Sequence, residues 1–219
     1  MRRSILTLLL ASFLSTMSPA AEAAQFKIAT IAPDGSFWMT EAKKAADEIT
    51  ARTYGRVTFR FYPGGTMGDD DAVLRKMRIG QLHGGVFLAG SFAHVVPDIR
   101  IYNLPLLFST YDEVDAVRST MDPMLIAELD ENGYHAFGFI GGGFAYLYTK
   151  KNASTFSELE GSKAWLPEND PVGRVLVEEA AFSPVPLGLA DVLTGLQTGL
   201  VDVVSGPPVA AVALQWFTK

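Results

Sequence analysis

The chain has 219 residues, 48% of them hydrophobic and 19% charged, with a formal net charge of −6 and no cysteine. That composition excludes a disordered chain, and the acidic balance argues against a nucleic-acid or anionic-membrane partner, since either calls for a basic face. Without cysteine there is no disulfide framework, so stability must come from the core alone.

The first residues read as a leader. Arg2 and Arg3 precede an apolar run over residues 5–14, and Ala21-Glu22-Ala23 supplies a small-x-small cleavage site. The run is too short to span a bilayer. Residues 1–23 are expected to be removed on export, and the loss of two arginines and one glutamate takes the formal charge from −6 to −7.

Residues 26–32 alternate in β fashion, residues 36–52 place Trp38, Ala42, Ala45, Ala46 and Ile49 at helical spacing, and residues 57–62 alternate again. A second helix over 69–80 turns Val73, Leu74 and Met77 inward, and residues 85–88 form a third strand. Asp69, Asp70 and Asp71 read as the cap and first turn of that helix, where acidic charge gains from the dipole, rather than as a metal cluster. A further helix starts at Tyr111. Residues 134–148 form an extended aromatic run that crosses between two lobes.

Thr155 and Glu158 have capping-box spacing, so a short helix is expected there, stopped by Gly161. After it come a buried strand over 163–166, a helix over 171–181 capped by Asp170, a strand over 185–187, a helix over 190–198 and a strand over 201–204. Val73, Leu74, Met77, Gly80 and Leu82 recur as Val192, Leu193, Leu196, Gly199 and Val201, each 119 positions later. Strands alternating with helices imply parallel sheets with right-handed crossovers. The expected fold class is α/β, in two lobes, 24–148 and 149–219, each a mainly parallel sheet flanked by helices.

Ligands of open parallel sheets bind at the carboxyl ends of the strands. Those ends fall at residues 32–38, 63–70, 88–92, 166–170 and 205–208. Trp38, Phe87, Phe144 and Trp165 form either an aromatic pocket that stacks an apolar or cationic ligand, or part of the core. Enzyme signatures are thin: His83, His94 and His135 share no metal-ligand spacing, Gly64 to Gly68 lacks the Lys-Ser/Thr of a phosphate loop, and Gly141-Gly142-Gly143 lacks the third glycine of a dinucleotide fingerprint. No cofactor is expected.

The loop Ile31-Ala32-Pro33-Asp34-Gly35-Ser36-Phe37-Trp38, the turn Tyr62-Pro63-Gly64-Gly65-Thr66-Met67-Gly68, Gly143-Phe144-Ala145, the frame around Gly161 to Pro167, and LTGLQTGLVD over 193–202 together resemble the solute-binding receptors of TRAP transporters. That resemblance covers nearly all of the chain beyond the leader. It implies a two-lobed periplasmic receptor with Ser36, Trp38, Met67, Phe87, Phe144, Trp165, Asp170 and Pro207 at the ligand, a small organic solute as cargo and a TRAP-type membrane permease as partner. It also implies a longer chain that returns to the first lobe after residue 219. The sequence departs from the resemblance where arginines are common, at Trp165 and Ala145, and where Asn-Pro is usual, at Gly206-Pro207. An ABC-importer-type receptor and an exported two-lobed enzyme are the alternatives.

Overall fold

The computed structural model describes residues 23–168 and 170–219. The leader expected over 1–23 therefore lies outside the described residues, Ala23 excepted. Strand β1 (Ala24–Thr30), helix α1 (Phe37–Arg52), strand β2 (Val57–Tyr62), helix α2 (Asp70–Arg78) and strand β3 (Gly84–Val86) build the first sheet, in the order β2-β1-β3. Both pairings are parallel, with Ala29 opposite Tyr62 and Ile28 opposite Gly84, because each connection is a helical crossover. The caps are those the residues call for. Ser36 accepts the Met39 N–H at 3.3 Å and Asp69 the Ala72 N–H at 2.7 Å, with Asp70 and Asp71 in the first turn of α2.

Two 3-10 segments, Ala89–Phe92 and Pro97–Asn103, lead to the long helix α3 (Tyr111–Glu131). Val96 and Ile99 from these segments pack against Leu125 and Leu129 of α3 in a core of their own. Thr110 and Glu113 make the reciprocal capping box at its start, each accepting a backbone N–H from the other. Residues 134–145 then run without regular structure, tied down by Tyr134 on Phe92, by Tyr102 on Phe139, and by Arg118, which donates to the Phe139 carbonyl at 2.7 Å while paired with Asp122 at 2.9 Å.

The second sheet contains β4 (Tyr146–Thr149), β5 (Lys163–Leu166), β6 (Ser183–Pro186) and β7 (Val203–Gly206), in the order β4-β7-β5-β6, with α4 (Pro171–Glu179), α5 (Val192–Thr198) and α6 (Pro208–Ala213) around it. Only β4 is antiparallel to its neighbour, β7. It straddles the 148/149 division expected from sequence. The capping box expected at Thr155 does not form: residues Phe156–Leu159 make a four-residue 3-10 turn, and Glu158 accepts the N–H of Ser154 at 2.7 Å instead. A helix stopped so soon by Gly161 offers the threonine no N–H at N3 in reach.

The 119-residue correspondence extends to hydrogen bonds. Gly80 and Gly199 both take positive φ, +73° and +71°, a conformation that suits glycine at a helix end. Behind them, Gln81 and Leu200 donate to the carbonyls of Lys76 and Gly195, again 119 positions apart. His83 donates its N–H to the Lys27 carbonyl and accepts the Lys27 N–H on Nδ1; Asp202 does the same for Lys163 through Oδ2. Strands β1 and β5 are thus stitched to the entries of β3 and β7 by one device used twice.

Candidate functional site: the cleft between the two sheets

In open parallel sheets the crevice outside the carboxyl ends of the strands, lined by the loops beyond them, is where ligands bind. Between the loops after β3 and β5 lies a shallow cleft open to solvent. One wall carries Leu88, Gly90 and Ser91 with Arg100 and Asn103; the other carries Pro167, Glu168, Asp170, Pro171 and Val172. Elsewhere the turn after β2 meets the segment after β6, where Gly65 approaches Ala190 so closely that a Cβ on the glycine would stand 2.9 Å from the alanine Cβ.

Asp70 sets the first wall. From the first turn of α2 its carboxylate accepts the Leu88 N–H at 3.1 Å and the Ser91 hydroxyl at 2.5 Å, pinning the loop after β3. Burial pushes its pKa above the usual carboxylate range, and the two hydrogen bonds only partly offset this. A folded-state pKa above the unfolded value means a contribution to stability that is full below about pH 4, the ordinary Asp value, and is lost as pH rises through the raised value. Asp70→Asn keeps an acceptor oxygen without the charge. Urea midpoints of wild type and variant should therefore diverge in the variant's favour as pH rises from 4 to 7, whereas parallel curves would show that folding does not raise the Asp70 pKa.

Asp170 stands on the second wall and caps α4, accepting the Gly173 N–H at 2.9 Å. The other sequence-predicted residues are spread more widely. Met67 lines a smaller neighbouring hollow with Ala29, Thr30 and Asp70, and its carbonyl accepts from Lys76 at 2.6 Å. Phe87 lies edge-on to Phe92 at 5.2 Å, against the first-sheet core. Ser36 is engaged as the cap of α1, and Trp38 is half-buried in that helix's first turn. Phe144 stacks on Tyr111 at 4.9 Å, and Pro207 packs against Gly142 and Gly143 beside it. Trp165 is in the core of the second sheet, 7% exposed, 5.7 Å from Trp216, with its indole N–H donated to the Leu187 carbonyl at 2.9 Å. Its donor is spent there, so the resemblance's placement of this residue at the ligand is not what the packing gives.

Sequence reasoning passed over Arg100, Asn103, Ser91 and Glu168. Arg100 carried a signal: it is the only Lys or Arg between Arg78 and Arg118. No group of three His, Asp or Glu among the described residues could hold a metal ion, and no described helix is long and apolar enough to cross a membrane.

Two mainly parallel sheets presenting strand carboxyl ends to one cleft define the α/β architecture of bilobal solute receptors. The chain belongs to the bacterial extracellular solute-binding proteins, family 7, whose model matches residues 28–214. It is 26% identical over 200 residues to the 2,3-diketo-L-gulonate-binding periplasmic protein YiaO of Escherichia coli, covering 90% of this chain and 60% of that protein. Among solved structures, a TRAP periplasmic solute-binding protein of Pseudomonas putida with bound D-glucuronate superposes with a TM-score of 0.80 at 20% identity, covering 89% of this chain and 64% of the other. One from Xanthobacter autotrophicus with bound β-D-galacturonate gives 0.81 at 18% identity, over 89% and 65%. Both likenesses are of fold. The chain thus spans less than two thirds of the length of these relatives.

Proposed function

We propose that this chain forms the solute-binding portion of an exported, periplasmic receptor that captures a small organic acid between two α/β lobes and delivers it to a TRAP-type permease. The observation that carries the reading is the cleft itself, built from facing carboxyl ends of two sheets in a chain of this family. Relatives of the same fold hold D-glucuronate, β-D-galacturonate, L-fuconate and D-erythronate, all organic acids. The lobes, 24–148 and 149–219, meet at β4, where the chain leaves the first unit and enters the second sheet. Closure of the cleft on its solute is a hinge motion, and the absence of turnover distinguishes such a receptor from an exported enzyme. Protein purified from the periplasm without added ligand, then denatured, should release an unmodified small organic acid for mass spectrometry. Release of a neutral or cationic solute instead, or conversion of the acid on incubation, would overturn the reading.

A further inference from the structure

We infer that Arg100 is the anion grip of this receptor, and that with Glu168 opposite it selects a monocarboxylate carrying several hydroxyls over a dicarboxylate. The inference rests on the organic-acid reading above and names the residues and ligand class for it. Among the described residues, Arg100 is the only cationic one lining the cleft. Most other arginines are engaged: Arg118 with Asp122, Arg174 with Glu178, Arg52 with Glu48, Arg78 with Tyr134. The guanidinium of Arg100 is half-buried and makes no hydrogen bond or ion pair among the described residues, which leaves its planar fork open to a carboxylate.

Its backbone is firmly placed. Pro97 opens the 3-10 segment, and Ile99, the residue before Arg100, is completely buried against α3. In a 3-10 turn residues three apart eclipse, so Asn103 stands on the same face as Arg100 and can add an amide donor to the same ligand. Ser91, its hydroxyl proton given to Asp70, offers only lone pairs on that wall.

Across the cleft the chemistry reverses. Glu168 is exposed, makes no hydrogen bond or ion pair among the described residues, and ionised it is an acceptor only; Asp170 adds a second negative charge beside it. The far end of the ligand must therefore donate hydrogen bonds, as hydroxyls do. A second carboxylate there would face two like charges.

Calorimetry with D-glucuronate, L-galactonate, D-erythronate, neutral D-glucose and succinate as probes decides the matter on wild type, Arg100→Gln, Arg100→Lys and Glu168→Gln. At least one hydroxy acid should bind wild type more tightly than glucose or succinate. Arg100→Gln should weaken that acid by at least ~30-fold, the cost of removing a hydrogen-bonded charged partner. Arg100→Lys should fall between, since a point charge replaces the fork. Glu168→Gln should narrow the gap between the acid and succinate. If a hydroxy acid binds and Arg100→Gln binds it equally well, the inference is overturned and the receptor reading stands; if no acid binds wild type, the receptor reading fails with it. Circular dichroism and melting of each variant confirm folding, and should Arg100→Gln not fold, Arg100→Lys binding as tightly as wild type overturns the inference.

Discussion

Replacing Trp165 with alanine should lower the unfolding free energy by roughly 3–5 kcal/mol, the range for deleting a buried large aromatic side chain. The ring fills the core between Val192, Leu196, Val201 and Val204, meets Trp216 edge-on, and satisfies the Leu187 carbonyl through its N–H. Alanine leaves a cavity, an unpartnered Trp216 face and a carbonyl without its donor. Trp165→Phe should recover most of the volume and lose about 1 kcal/mol with the hydrogen bond. Trp165→Arg should prevent folding, because no acid in that core compensates the buried charge. Urea unfolding followed by circular dichroism measures all three; an alanine variant as stable as wild type would mean that the indole does not pack as described.

Gly65→Ala should cost about 2–5 kcal/mol. The position holds φ at +70°, where a side chain costs roughly 1–2 kcal/mol, and the new Cβ would meet the Ala190 Cβ at 2.9 Å, adding an overpacking cost on the order of 1–3 kcal/mol. The two costs separate experimentally. Ala190→Gly in the same chain should relieve the clash but not the backbone strain, giving a coupling of about 1 kcal/mol in a double-mutant cycle. Strict additivity would show that Gly65 and Ala190 do not touch.

The sequence carried those features that are local. Ser36, Asp69 and Asp170 cap their helices because the residues they serve lie three positions on, and Gly80 and Gly199 end theirs because the left-handed turn needs no distant partner. The 119-residue correspondence was legible for the same reason and proved to reach into the hydrogen bonds of Lys27 and Lys163. Thr155 misled because the capping-box spacing is shared with Thr110, and only the length of the helix that follows decides which box closes.

The site was less legible. Trp165 is buried by Trp216, 51 positions later, a contact no local pattern announces. Of the eight residues assigned to the ligand, Asp170 alone lines the cleft, because strand-end reasoning points to loops without saying which side chains turn into the space between them. Arg100 escaped because it sits on a 3-10 segment, which lacks the periodicity of either helix or strand. A lone cation in a long uncharged-to-acidic stretch is the feature to weigh in such a chain.

The loops after β3 and β5 should bind one small organic acid between them. Backbone amide shifts of the isotope-labelled protein, titrated with the hydroxy acid that binds in calorimetry, test this residue by residue. Saturable shifts should appear on both walls at once, at Leu88, Ser91 and Asn103 and at Glu168 and Val172, with Lys27 and His83 at the far end of the first sheet unmoved. Shifts confined to one wall, or centred on Tyr111 and Phe144 instead, would contradict the account.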